Sequence, residues 1–132
     1  MKVISIDFGT KRIGVAIGDA NLKIAVPLGT IPNCEGATER LAELIREKGC
    51  QVVVVGLPLT PSGREGQRAV LVKEFVKKLR EKLPNVDIEL WDERYSTQEA
   101  FRRLKAMGIK DVHKHKDEAS ALIILEEYLD NL

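Results

Sequence analysis

The start of the chain decides the fold through two adjoining segments, VISIDFG (residues 3–9) and TKRIGVAIG (residues 10–18). The first segment is typical of a buried strand, interrupted by Asp7, and the second of another strand after a tight turn. A buried and unpaired carboxylate is very costly, so Asp7 needs a cation, a metal ion or a hydrogen-bonding partner. Its place at a strand end, close to Lys11 and Arg12, suits a divalent metal held against a phosphate. Equally, Asp7 could cap the turn or pair with one of those two cations.

The composition is that of an ordinary globular protein. The chain has 132 residues, of which 44% are hydrophobic and 31% are charged, and its net charge is +1. This length suits one hydrophobic core, so we expect a single domain over residues 1–132. Because the net charge is small, a nucleic-acid surface would have to be a local patch.

The sequence also bears on cellular location. No apolar run approaches the ~20 residues that span a bilayer, and no secretory signal is evident, so we expect no membrane contact. Cys34 and Cys50 do not form a metal-type cluster. We therefore expect free thiols in a reduced cytosol and a cytoplasmic protein.

The first part of the chain predicts three consecutive strands. They cover residues 2–8, 12–19 and 23–31, with turn signals between them. Strands joined this tightly must pair in antiparallel fashion.

The rest of the chain predicts alternating helices and strands. Helices are expected over 36–48, 65–83, 97–107 and 117–129, and strands over 51–56 and 86–91. The predicted fold class is therefore α/β, with a mixed five-stranded sheet in which three antiparallel strands precede parallel strands and helices cover both faces.

Two further acidic sites fall at ends of predicted elements. Asp92 and Glu93 close the fifth strand, and ligands of α/β sheets collect at the carboxyl ends of strands. A solvated strand end with a local charge balance between Glu93 and Arg94 is the alternative. Asp117 opens the last helix, where an ordinary N-cap or first-turn role is the alternative.

Together the three sites predict a particular chemistry. Carboxylates that converge on one edge of a sheet repel each other unless cations neutralise them. Oxygen ligands of this kind select Mg²⁺ or Mn²⁺. Two such ions can flank a phosphodiester, one activating water and the other stabilising the leaving oxygen, so no protein nucleophile is required.

Four segments, in order, resemble the YqgF family, also called RuvX or Holliday-junction-resolvase-like, of the RNase H fold. They are DFGTKRIGVA (residues 7–16), VGLP (55–58), DERYST (92–97) and KDEASA (116–121). The resemblance covers essentially the whole chain and implies an RNase H-like fold. It implies that the catalytic and metal-binding acids are Asp7, Glu93 and Asp117, with Asp92 as the alternative to Glu93.

The same resemblance implies a metal-dependent nuclease that processes the 5′ end of pre-16S rRNA during ribosome biogenesis. Its expected partners are pre-rRNA and ribosomal particles. A second implied activity is Holliday junction resolution on branched DNA, which would favour a symmetric homodimer over a monomer. A third hypothesis is a ribosome-associated nucleic-acid-binding module without catalysis. The sequence does not choose between RNA and DNA.

Basic residues near these acids are candidates for binding the nucleic acid through its phosphates. The candidates are Lys11, Arg12, Arg64, Arg68, Arg94, Lys114 and Lys116. Solvated turns and a plain surface loop are the alternative interpretation of these positions.

Overall fold

The computed structural model describes residues 1–58, 66–92, 106, 108 and 116–132. The elements are β1 (Lys2–Phe8), β2 (Arg12–Asp19), β3 (Ile24–Pro32), α1 (Ala37–Lys48), β4 (Val52–Leu57), α2 (Gln67–Lys82), β5 (Asp87–Asp92) and α3 (Lys116–Asp130). Each of them agrees with its sequence prediction to within two residues at either end. The predicted helix over 97–107 lies outside the described residues, apart from position 106.

The strands form one mixed sheet in the order β3-β2-β1-β4-β5. The first three strands are antiparallel neighbours, while β4 pairs in parallel with both β1 and β5. The antiparallel strands are joined by short turns, and the chain reaches β4 and β5 through α1 and α2, as parallel pairing requires. The predicted topology is therefore confirmed, and β1 lies at the centre of the sheet.

Two hydrophobic cores cover the two faces of the sheet. The first core lies between the sheet and helices α1 and α2, and it includes Ile4 and Ile6 of β1. The second core lies between the sheet and α3, and it includes Val3. Because successive residues of a strand point to opposite faces, β1 supplies both cores in turn. This confirms the expectation of helices on both faces.

Helix α3 packs closely across the antiparallel half of the sheet. An alanine-like Cβ at Gly18 of β2 would collide with the carbonyl oxygen of Ile24 and lie 3.1 Å from Cδ2 of Leu125. Glycine at this position therefore lets β3 and α3 approach β2. Small residues of α3 itself contribute, since Ala119 and Ala121 are both buried.

Two further findings bear on the sequence predictions. Within the ranges given above, no helix is long and apolar enough to cross a membrane. Cys34 and Cys50 are free thiols, the first exposed and the second buried, as predicted.

Candidate active site

Asp7 lies near the end of β1, at the edge where the parallel strands β1, β4 and β5 finish, called here the carboxyl edge. Its side chain is only 9% exposed. Strand alternation places it on the α3 face, the face of Val3 and Ser5. A buried acid therefore stands where ligands of α/β sheets collect.

Glycines flank Asp7 on both neighbouring strands. Gly14 of β2 is its direct antiparallel partner. On the other side Ile6 pairs with Val55, so the next residue of β4, Gly56, is level with Asp7. Residues at the same level of adjacent strands share a face, where a side chain would fill the space beside the carboxylate. With glycine at both positions, neither neighbouring strand places a side chain beside the carboxylate at this level.

The hydrogen bond between Ser5 and Ala121 shows how α3 is placed on β1. The hydroxyl of Ser5 donates to the carbonyl oxygen of Ala121 at 2.5 Å. Further along the helix, Leu125 lies against Gly18, which pairs with Val3. Helix α3 therefore runs antiparallel to β1, and its first turn points to the carboxyl edge.

This arrangement brings the backbone of Asp117 to the level of Asp7. Asp117 precedes Ala121 by one helical turn, or about 6 Å along the axis. Asp7 follows Ser5 by two strand residues, or about 7 Å. Because Ser5 and Ala121 are in contact, the two acidic positions lie at the same end of the same face. The predicted approach of β1 and the last helix is present at the level of the backbone.

Polar contacts also join β5 to α3. Trp91 donates its Nε1–H to a carboxylate oxygen of Glu127 at 3.0 Å, and the hydroxyl of Tyr128 donates to Glu89 at 2.8 Å. The rings of Trp91 and Tyr128 meet edge to face, with centroids 5.8 Å apart. The pKa of Tyr128 is raised to about 12, mainly by burial and to a smaller extent by the hydrogen bond to Glu89. These contacts hold the end of β5 against the helix.

The same contacts determine the face on which Asp92 lies. Glu89 and Trp91 face α3, whereas Ile88 and Leu90 belong to the first core. By alternation Asp92, the exposed last residue of β5, belongs to the face opposite Asp7. Sequence alone did not separate Asp92 from its neighbour Glu93.

Several predicted site residues are not described in full. Glu93, Arg94, Arg64 and Lys114 lie outside the described residues, while Lys116 and Asp117 are described as helix backbone only. In the part of the chain that the structure describes, no three potential ligand side chains cluster as a metal site.

Two of the predicted basic residues follow β1 directly. Lys11 and Arg12 are exposed at the turn between β1 and β2. Asn33, after β3, holds this turn: its backbone N–H donates to the carbonyl of Lys11 at 2.9 Å, and its Nδ2 donates to the carbonyl of Gly9 at 2.7 Å. Nothing in the sequence singled out Asn33. Ser5, by contrast, stands out in the sequence as a hydroxyl within an apolar strand.

A third basic residue, Arg68 of α2, approaches the same turn. It lines a cavity of about 270 Å³ together with Phe8, Thr10, Asn33 and Leu71. The cavity adjoins a larger groove between α1 and α2, of about 730 Å³, over which Phe8 stacks on Phe75. The groove carries acids as well as lysines, so only the end near Arg68 suits a phosphate.

Comparison with known proteins matches this chain to a family and to named relatives. The family model described as "RuvX: Holliday junction resolvase" matches residues 1–131. A protein of Chloroflexus aggregans named "Putative pre-16S rRNA nuclease" is 41% identical over 132 residues, covering 97% of this chain and 92% of that protein. A protein of Chlorobaculum tepidum with the same name is 39% identical over 134 residues, covering 98% and 94%.

Solved structures confirm the fold. RuvC of T. thermophilus in complex with Holliday junction substrate superposes with a TM-score of 0.67 at 16% identity, covering 99% of this chain and 95% of that one. The Holliday junction resolvase of fowlpox virus gives a TM-score of 0.65 at 14% identity, covering 100% of both chains. The predicted RNase H-like fold is therefore correct, and at these identities the likeness concerns the fold alone.

Proposed function

This chain belongs to the RuvX family, and from that membership we propose that it is a metal-dependent nuclease that hydrolyses a phosphodiester bond. The observation that carries the proposal is the position of Asp7, a buried carboxylate at the carboxyl edge, on the face where the first turn of α3 brings Asp117.

The surroundings of Asp7 suit a hard divalent cation. Its donor atoms are carboxylate oxygens, which Mg²⁺ and Mn²⁺ prefer. Gly14 and Gly56, level with Asp7 on the two neighbouring strands, add no side chain that would compete with an ion for the carboxylate. We propose that Asp7, Asp117 and a second acid after β5 hold the ion or ions.

For that second acid we favour Glu93 over Asp92. Asp92, by alternation along β5, belongs to the face opposite Asp7, which leaves Glu93 as the remaining acid of the pair. The choice can be tested by substituting Asp92 and Glu93 separately with the matching amides. Loss of cleavage in Asp92→Asn with full activity in Glu93→Gln would overturn it.

In the proposed reaction the ions and the side chains have separate roles. Bound divalent ions supply a nucleophilic water at neutral pH and stabilise the leaving oxygen. In this proposal Asp7, Asp117 and Glu93 would hold the ions at the carboxyl edge of the sheet. Lys11 and Arg12, at the β1–β2 turn, are proposed to bind phosphates of the nucleic acid and so to orient the scissile bond. Arg68, whose cavity lies on the α1 and α2 side of the same turn, is proposed as a further phosphate contact. Arg64, Arg94, Lys114 and Lys116 are proposed as further phosphate contacts.

The proposed substrate is precursor 16S rRNA, cleaved near its 5′ end in ribosomal particles of the cytoplasm. The names of the relatives support this substrate. A Holliday junction is the second candidate, favoured by the description of the matching family and by the resolvases that share the fold. Resolution of a junction requires two active sites and hence a dimer, whereas a monomer is sufficient for rRNA cleavage.

Asp7→Asn tests the proposed nuclease activity. Because loss of a residue that merely orients a ligand costs 10- to 100-fold, we expect loss of a ligand to slow Mn²⁺-dependent cleavage at least about 100-fold. Asp87→Asn is the matched control, since Asp87 is exposed at the start of β5, at the opposite edge of the sheet. Equal turnover by Asp7→Asn and the unaltered protein would overturn the proposal.

Cleavage of two different substrates distinguishes the candidate functions. A precursor 16S rRNA fragment and a four-way DNA junction are incubated with the protein, with Mn²⁺ and without it. Cleavage of the RNA alone supports rRNA processing, and cleavage of the junction alone supports resolution. Binding without cleavage of either substrate would support the non-catalytic module.

A further inference from the structure

Ser5 is a fully buried serine between the two elements that carry Asp7 and Asp117. It is 0% exposed and lies two residues before Asp7 on the same face of β1. Its hydroxyl donates to the carbonyl oxygen of Ala121, one helical turn after Asp117. The surrounding second core is otherwise built mainly of aliphatic side chains, such as Val3, Val54 and Leu122.

Stability alone does not account for a hydroxyl at this place. The carbonyl of Ala121 lies within α3 and accepts the N–H of residue 125 by the ordinary helical pattern. The hydrogen bond from Ser5 is therefore a second one for the Ala121 carbonyl oxygen. An alanine at position 5 would leave no buried polar group without a hydrogen bond. Loss of one donor whose acceptor keeps its helical hydrogen bond therefore has only a modest cost in stability.

The bond does constrain how α3 lies along β1. Packing between aliphatic side chains is not directional and tolerates small shifts, whereas a hydrogen bond fixes its donor and acceptor to within a few tenths of an ångström. A shift of α3 along β1 would move Asp117 relative to Asp7. The Ser5 bond lies about 7 Å from this pair of positions, so it restrains them directly.

We propose that Ser5 is a positioning residue that sets the separation of Asp7 and Asp117 for binding of a divalent ion. The inference rests on the proposed function, because it assumes that these two acids share an ion. It adds that the geometry of the ion site depends on a hydroxyl that touches neither the ion nor the substrate.

The test compares the binding of Mn²⁺ to the metal-free protein in three variants. Ser5→Ala removes the donor, Asp7→Asn removes a proposed ligand, and Ser120→Ala is the control, since it makes the same change at another buried serine. The rise in melting temperature with Mn²⁺ concentration reports binding without activity. Cleavage is measured over the same concentrations. Ser5→Cys keeps a side chain of similar size with only a weak donor, and it replaces Ser5→Ala in the test if that variant folds poorly.

Removal of the donor is expected to weaken ion binding selectively. Ser5→Ala and Ser5→Cys should raise the Mn²⁺ concentration for half-saturation about 10-fold, as for other residues that orient ligands. The melting temperature without metal should change by only a few degrees, and Ser120→Ala should leave the half-saturation concentration unchanged.

Three results would count against the inference, and they are distinguishable. If Asp7→Asn loses the response to Mn²⁺ while both Ser5 variants keep the half-saturation of the unaltered protein, Ser5 does not position the acids and the proposed function stands. If Asp7→Asn responds to Mn²⁺ normally, the proposed ion site itself is wrong. A lower melting temperature in the Ser5 variants with unchanged half-saturation would give Ser5 a structural role only.

Discussion

The two faces of the sheet differ in the chemistry of their contacts. The first core, under α1 and α2, is lined by aliphatic side chains and phenylalanines. The second face, under α3, carries Ser5 and Asp7 in the sheet, and Trp91 and Tyr128 with their carboxylate partners. Hydrophobic burial is strong but not directional, whereas hydrogen bonds fix geometry. We infer that α1 and α2 mainly stabilise the sheet, while α3 positions the site.

The largest expected effect on stability is on the first face. Leu79 of α2 is 0% exposed in the first core. Leu79→Ala should lower the free energy of unfolding by about 2–5 kcal/mol, because it removes buried methyl groups and leaves a cavity. Urea denaturation measures the loss, with Leu71→Ala as the control on the exposed side of the same helix.

If the two faces have separate roles, the loss of stability in Leu79→Ala leaves the proposed ion site intact. At a temperature where Leu79→Ala is fully folded, its Mn²⁺ half-saturation should equal that of the unaltered protein. A 10-fold shift would mean that the first face also positions the acids, and the proposed division between the two faces would be wrong.

A smaller effect is expected from the α3 face at high pH. The pKa of Tyr128 is raised from its ordinary value of 10.0 to about 12 in the folded protein, by burial and by Glu89. The folded state therefore holds the proton more tightly than the unfolded chain does. The stability that this provides is fully present below pH 10 and is lost as the pH rises from 10 to 12.

Tyr128→Phe isolates this contribution. The unaltered protein should lose stability more steeply than Tyr128→Phe between pH 10 and 12, as measured by denaturation at each pH. The difference in absorbance at 295 nm between the two proteins should titrate near pH 12. A difference that titrates near pH 10 would show that the Tyr128–Glu89 contact does not hold β5 against α3.

The smallest effect is expected from an exposed ion pair beside the first face. Lys82 of α2 lies 2.8 Å from Glu39 of α1, and its hydrogen bond and charge lower the pKa of Glu39. Such a contribution is present at neutral pH and lost on acidification, but solvent screens an exposed pair strongly. Glu39→Gln should leave the melting temperature unchanged within error at pH 7. A drop as large as that of Leu79→Ala would show that charges, and not burial, hold α1 to α2.

Periodicity and turn signals predicted the described helices and strands because each of these elements is encoded by its own short stretch of sequence. The apolar run of β4, for example, is typical of a strand buried on both faces, and Gly49, with φ +66°, ends α1 in the left-handed conformation that favours glycine. The sequence also predicted that the start of the last helix approaches β1 at the carboxyl edge, and the backbone of α3 does so. That Asp7 and Asp117 share an ion there stays a prediction.

Contacts that depend on three-dimensional register were not predictable. The face of Asp92 follows from the pairing of β5 with β4 and from the bonds of Trp91 and Tyr128 to other elements. Asn33 reaches the β1–β2 turn across 24 positions of sequence. Ser5 and Ala121 are 116 positions apart, and no local pattern links such distant residues.

The central position of β1 has a consequence for how the ligands are prepared. Chains open locally from edges and ends, and interior strands exchange their amide protons only in the most complete openings. Asp7 sits on a strand with a neighbour on each side, β2 and β4. Fluctuations that fray β3 or β5 leave its backbone in place, so the cation that we propose would meet a carboxylate whose strand was already ordered when the protein folded.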